Sequence, residues 1–251
     1  MKIRQTIVVL FLLISISYQA WSQQNLFNIP SGDVTKKGKF FYQHQLNVYS
    51  ASEYETKSHV VYGLGKNWDA GFNVVDLPVS ISQGNAVFSS NNDPNRLPLF
   101  PLFHFTVQKQ IVCSEYWQFN FGSQVGGNFP SRHGNINLAF MNYAMAKYRL
   151  SKDHGFLVGG LYNANDVYFG SPSQYVGFMM GYEIPLTNRF YLMGDLISGQ
   201  TKKSTTTIGA VYSISKRVQL CAGALLSFPN QRLSSGAVFE LNWYGYNFKN
   251  E

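Results

Sequence analysis

The sequence predicts an all-β fold, an antiparallel up-and-down transmembrane β-barrel of about twelve strands with short periplasmic turns and longer extracellular loops. Three observations predict it. An N-terminal export signal precedes the fold. A hairpin pattern then recurs as YGLGKNWDAGFNV (Tyr62 to Val74), YRLSKDHGFLVGG (Tyr148 to Gly160), YEIPLTNRFYLMG (Tyr182 to Gly194) and YSISKRVQLCAG (Tyr212 to Gly223), with FTVQKQIVCSEYWQFNFG (Phe105 to Gly122) as a looser copy. The strands of these hairpins alternate between apolar residues and polar residues that carry little charge.

The signal is set aside before the fold is read. Lys2 and Arg4 make a positive start, Ile7 to Ile16 an apolar stretch, and Ala20-Trp21-Ser22 supplies small residues ahead of a cleavage expected before Gln23. A run of about ten apolar residues is too short to span a bilayer as a helix, which takes about twenty. No cysteine follows the stretch, so no lipidation site is expected at the new N-terminus. The expected organisation is a signal peptide at 1–22, an N-terminal periplasmic segment at 23–38 and the barrel at 39–251.

Composition agrees with this class. Aromatic residues make up 16% of the chain and charged residues 13%, with 22 glycines, whereas soluble domains carry about 25% charge. Removing 1–22 lowers the formal net charge from +7 to +5. That mild basicity suits contact with anionic lipid headgroups or solutes and decides little alone. Cys113 and Cys221 read as two isolated small core-type residues, so neither a disulfide nor a metal is assigned.

Period-two alternation places strands near 39–50, 56–65, 68–78, 101–109, 114–126, 137–150, 154–163, 174–184, 189–198, 204–214, 217–227 and 235–246. The connections then alternate. Short turns are expected at Gly65-Lys66-Asn67, Lys109-Gln110, Ser151-Lys152-Asp153, Pro185-Leu186-Thr187-Asn188 and Ser215-Lys216. Longer loops are expected at 80–100, 127–135, 163–173, 199–203 and 228–234. In the first strand Phe40, Tyr42, Leu46 and Val48 oppose Gln43, Gln45 and Asn47. Trp117, Phe119 and Phe121 oppose Gln118, Asn120 and Gly122; Val176, Phe178, Met180, Tyr182 and Ile184 oppose Gly177, Gly181 and Glu183; Ala237, Phe239, Leu241 and Trp243 oppose Glu240, Asn242 and Tyr244. A soluble sandwich or lipocalin-like barrel also alternates, but its polar face should be charged, and here that face carries Gln, Asn, Ser, Thr and Gly. Apolar faces are therefore expected to meet lipid and polar faces the lumen.

The segments NIPSGDVTKKGKFFYQHQLN (Asn28 to Asn47), VVYGLGKNWDAGFNV, GYEIPLTNRFYLMGD and GAVYSISKRVQLCAGALLSF resemble exported outer-membrane barrels of Bacteroidetes-type bacteria. They are also similar to the transporter-like barrel family named for the MetA pathway of phenol degradation. The resemblance covers most of the mature chain and rests on turn residues, glycines and alternating apolar positions. It implies a barrel and passage of small solutes, and supplies no catalytic signature.

The candidate lumen-lining residues are His59, Asn73, His104, Gln118, Asn120, Glu183, Asp195, Gln219, Glu240 and Asn242. Glu183, Asp195 and Glu240 admit two readings: a cation-attracting constriction, or structural carboxylates paired with cations or bonded to tyrosine inside a narrow bore. The inward Gln, Asn, Thr and Gly positions give a weakly polar path, with the 80–100 loop as lid or plug. His44 falls among the apolar positions of the first strand and His154 in a turn. Ser131-Arg132-His133-Gly134 is the one loop with serine and histidine close together, and it lacks the pattern of a lipid-modifying enzyme. No cofactor is expected: histidine pairs lack metal-ligand spacing, Asn91-Asn92-Asp93-Pro94-Asn95 lacks the acidic spacing of a calcium loop, and no phosphate loop occurs. Scattered basic residues argue against nucleic-acid binding. The expected partners are outer-membrane lipid, lipopolysaccharide and a small solute, with the chain acting as a monomeric narrow pore. The alternative is a surface-binding or envelope-structural barrel, with a lipid hydrolase last.

Overall fold

The computed structural model describes residues 24–130, 135–150, 155–171, 176–199, 201, 203–227 and 235–247. In chain order the strands are β1 Phe40–Val48, β2 Glu53–Gly65, β3 Trp68–Ser82, β4 Asn85–Phe88, β5 Leu102–Val112, β6 Trp117–Asn128 and β7 Asn137–Arg149, then β8 Phe156–Ala164, β9 Val176–Pro185, β10 Phe190–Ile197, β11 Thr205–Ser213, β12 Val218–Ser227 and β13 Gly236–Tyr244. A single helical turn, α1, covers Asp166–Phe169. Each barrel strand pairs antiparallel with its neighbours, β1 with β13 and β2 with β3 included, so the sheet closes on itself as a twelve-strand up-and-down barrel. Closure leaves no open edge and satisfies the backbone within the ring, the condition for crossing lipid with strands. Among the described residues no helix is long and apolar enough to cross a membrane.

β4 stands outside the ring, paired only with the end of β3 through a turn at Gln83 and Gly84, both at positive φ. The β2–β3 turn uses Lys66 and Asn67 at φ 51° and 61°, the two positive values that match the twist of a tight hairpin. One expected turn moves. Lys109 and Gln110 stay in β5 and pair with Phe121 and Asn120, and the chain reverses at 113–116. There Ser114 Oγ accepts from the Tyr116 and Trp117 amides at 3.2 and 3.0 Å, a local hydroxyl turn that Lys and Gln cannot make. The expected turn at 151–153, His154 and the loop pair Ser131 and His133 lie outside the described residues.

The exterior is apolar. Phe105 is 73% exposed, Val176 65% and Leu161 63%, with Phe119, Phe178, Met180, Ile208 and Phe239 also exposed. Trp117, Phe119 and Phe121 face outward while Gln118 and Asn120 are buried, and the same alternation holds in β9 and β13. Near the short-turn rim the outward positions are aromatic: Phe40 and Tyr62 lie 4.8 Å apart, Trp117 and Tyr148 4.9 Å apart, and Phe190 pairs with Tyr212. Trp68, first in β3, and Trp243, next to last in β13, are exposed at this same rim. An apolar wall ending in an aromatic girdle is the surface that a barrel in lipid requires, where rings settle at the headgroup level. Tyr62, Tyr148, Tyr182 and Tyr212, which open the four hairpin copies, all lie in this zone.

Residues 24–37, expected ahead of the barrel as a periplasmic segment, run inside it. Leu26, Phe27 and Ile29 are buried against inward side chains of β7 to β13, and Gln24 and Asn28 bond to strand residues. A short irregular segment carries no periodicity that would reveal its partners, and three apolar side chains among its polar ones are sheltered there from water.

Candidate functional site

The bore holds a stopper built from the N-terminal segment. Residues 24–31 fold back on themselves: Ser31 N donates to Gln24 O at 3.0 Å and Leu26 N to Ile29 O at 2.9 Å. One side of this loop is apolar and sits over glycines. A Cβ added to Gly181 would lie 2.3 Å from Leu26 Cδ1, and one on Gly209 or Gly223 would lie 2.8 or 3.0 Å from Phe27 Cζ. These inward glycines of β9, β11 and β12 make room for the stopper's side chains.

The other side is tied by hydrogen bonds. Asp69 on β3 accepts from Gln24 Nε2 at 2.6 Å, Thr35 N at 2.8 Å and Gln108 Nε2 at 3.1 Å. Asn25 Nδ2 reaches Gln43 Oε1 and His59 Nδ1, both at 2.9 Å. Asp195 on β10 accepts from the amides of Asn28 and Ile29, and Asn28 Nδ2 donates to Thr207 Oγ1 at 2.9 Å. Asp33 is 2.5 Å from the Lys147 ammonium and accepts from Gln118 Nε2 at 3.0 Å. A carboxylate removed from water needs such donors. These ties hold the stopper from β3, β6, β7 and β10 at once.

Around the stopper the wall is two-faced. Gln43, Gln45, Asn47, Asn73, His104, Gln108 and Asn120 line β1 to β6, whereas Met141, Tyr143, Met145, Val158, Met179, Met193 and Val211 line β7 to β11. The expected weakly polar path therefore describes half of the bore. In β7 and β8 both faces are largely apolar, so alternation alone does not show which one turns inward.

Each nominated lumen residue can now be placed. His59 and Gln118 touch the stopper directly, as does Asp195. Glu240 accepts from Gln43 Nε2 at 3.1 Å and so joins the network one residue removed. Gln219 accepts from Tyr244 Oη at 3.1 Å, and Asn242 Nδ2 lies 3.4 Å from Cys221 Sγ, nearer the short-turn rim. Glu183 is buried near the same rim, opposite Met193 and Phe156. Asn73 approaches Gln124 Oε1 at 3.5 Å, His104 is sealed beside the Tyr168 ring at 5.2 Å, and Asn120 is buried. Sequence reasoning did not nominate Asp33, Asp69, Asp76, Lys147 or Lys203. The one signal in the sequence was a lysine, Lys147, in an otherwise apolar strand, and alternation did not show which way it points.

Two spaces remain. A cavity of about 130 Å³ adjoins the stopper, lined by Asn25, His59, Asn73, Gln108, Tyr143 and Phe27 among others. A vestibule of about 390 Å³ opens toward the long-loop rim, between Tyr49, Tyr54, Pro78, Pro98, Phe100 and Leu225. Asn28, Lys57, Asp76, Phe169 and Lys203 border both and form a septum. Phe169 is brought there by α1: Asn165 caps the turn by accepting from Tyr168 N at 3.1 Å, and its Nδ2 donates to Leu138 O at 2.8 Å. The 80–100 loop is not the plug. Its first part is the β3–β4 hairpin, and its last residues fold over the mouth, where Leu99 is buried with Leu102 and Ala139.

No family model matches the chain, and no curated protein matches it. Among solved structures it is similar to the COG4313 outer membrane channel from Pseudomonas putida F1, at 14% identity and a TM-score of 0.43 over 85% of this chain and 97% of that one. It is also similar to the Ralstonia pickettii toluene transporter TbuX, at 7% identity and a TM-score of 0.42 over 91% and 97%. A Pseudomonas aeruginosa FadL homologue gives 10% identity and a TM-score of 0.42 over 92% and 98%.

Proposed function

We propose that the chain is a monomeric outer-membrane barrel that admits a small solute, surrounded by lipid and lipopolysaccharide, through a bore closed by its own N-terminal segment. The observation that carries this is the stopper itself. It fills the bore beside the inner cavity and below the vestibule, and it is held by apolar packing, hydrogen bonds and an ion pair, so it is separable from the wall. The apolar half of the wall and the amide-rich half together suit an uncharged solute with an apolar body and few polar groups. Tying Asn28 to Thr207 tests the reading, because their side chains already meet at 2.9 Å. In the mature chain with Cys113 and Cys221 changed to Ser, the pair Asn28→Cys and Thr207→Cys is expected to give discrete conductance steps when reduced and silence when oxidised. A barrel with folded, heat-modifiable gel mobility that stays silent in both states overturns the transport reading.

One feature favours a second reading. The β3–β4 hairpin projects from the ring with Phe88 65% exposed, as a surface-binding or envelope-structural barrel would present it. Such a protein keeps its ligand or partner binding when the stopper is locked.

A further inference from the structure

We propose that Asp76 and Lys203 form a cross-bore latch in the septum, which must part before a solute moves from the vestibule to the inner cavity. The inference rests on the transport reading and adds a second gate to the stopper.

The pairing of β2 with β3 breaks register at this point. Thr56 faces Leu77 and Ser58 faces Val74, so Lys57 alone stands opposite both Val75 and Asp76. One extra residue in β3 makes a bulge, the device by which a strand turns a side chain to the other face. Asp76 takes the bulge with φ 55°, left-handed backbone that an ordinary residue adopts at a cost. The result is a carboxylate in the bore 2.7 Å from Lys203 Nζ. The two residues come from nearly opposite walls: four strands separate β3 from β11 one way round and six the other.

Lys203 is held inward by a compact knot just before β11. Ser204 N donates to Thr201 O at 3.0 Å, and Ser204 Oγ donates to Ser198 O at 3.1 Å. Its ammonium also lies 4.2 Å from the centre of the Tyr168 ring. The pair therefore joins three elements: the β3 bulge, α1 and the β10–β11 connection. Both side chains keep some contact with the chambers, at 14% and 16% exposure. An ion pair so placed contributes little net stability, because lost hydration offsets the attraction. It can therefore open and close reversibly, which a fully buried pair cannot do cheaply.

The mature chain in planar bilayers tests this with Asp76→Asn, Lys203→Met, Lys203→Glu and Lys203→Arg, each checked for heat-modifiable mobility. Asn is chosen at position 76 because it tolerates positive φ. Asp76→Asn and Lys203→Met are each expected to raise the open fraction about five-fold, the size of effect one partly exposed pair supports. Lys203→Glu, which sets two carboxylates against each other, should open the barrel further, and Lys203→Arg should leave it closed like the parent. Wild-type conduction that none of the variants alters overturns the latch and leaves the transport reading standing. Equal opening by Lys203→Met, Lys203→Glu and Lys203→Arg also overturns it, because packing rather than charge would then hold the septum. Silence in every folded variant overturns the latch and the transport reading together.

Discussion

Lys147 shows how the stopper depends on single side chains. It is 2% exposed, its ammonium lies 2.5 Å from Asp33 and 3.8 Å from the centre of the Phe156 ring, and Gly32 of the stopper packs on its stem. Changing it to Met leaves the Asp33 carboxylate with only neutral donors such as Gln118. Breaking a buried pair from one side costs about 3 to 5 kcal/mol, and the lower end applies because Asp33 retains some contact with water. We expect Lys147→Met to release residues 24–37, read as faster amide exchange confined to that segment. Asp33→Asn combined with Lys147→Met should lose less than Lys147→Met alone, because no uncompensated charge remains. Equal losses would mean that packing by the lysine stem, not its charge, seats the stopper. Lys147 was hard to recognise in the sequence for a physical reason. The inward row of β7, Met141, Tyr143, Met145 and Lys147, is mostly apolar, so alternation gave no sign that it faces the bore.

At the scale of elements, glycines in the strands act as sockets. Gly181 of β9 lies under Leu26, and an added Cβ would stand 2.3 Å from Leu26 Cδ1 and 3.1 Å from Ile29 Cδ1. The side-chain ends must move, and the stopper moves with them. Gly181→Ala is therefore expected to lift the 24–31 loop and raise conductance while leaving the barrel folded. The clash also includes Gly194 O at 2.9 Å, so a stability loss of about 1 to 3 kcal/mol from overpacking is expected in urea titration. A stability loss with unchanged conductance would show that the loop adapts in place. The strands themselves were legible, because their partners lie in sequence order and turns such as Gly65-Lys66-Asn67 declare themselves. What fills the ring was not legible. The stopper touches β3, β9, β10 and β11 through contacts distant in sequence, and the bulge at Val75–Asp76 appears in β3 only as one more residue. The turn at 113–116 was misplaced because Lys109 and Gln110 suit an exposed reversal and an amphipathic strand equally well.

The whole molecule is a shell that reverses the usual order of a soluble protein, with its largest apolar surface outside and its buried carboxylates within. In water, an outer wall bearing Phe105, Leu161, Val176 and Phe178 would be one contiguous sticky surface far larger than monomers tolerate. In lipid it is the solvated face. The two environments answer one substitution differently. Leu161 sits in the middle of β8, outward, between Ala144 of β7 and Phe178 of β9. Leu161→Arg on a soluble barrel is an ordinary surface change, within about 0.5 kcal/mol of neutral. At the midplane of a bilayer an arginine on the lipid face costs about 2 to 4 kcal/mol. We expect the variant to fold less stably by that amount when urea titration is done in lipid vesicles. The penalty should shrink toward zero for Tyr148→Arg, one residue from the end of β7 in the girdle, because an arginine there reaches the headgroups. Equal and negligible costs at both positions would place the barrel in water, and the stopper would then close a soluble binding cavity rather than a path across a membrane.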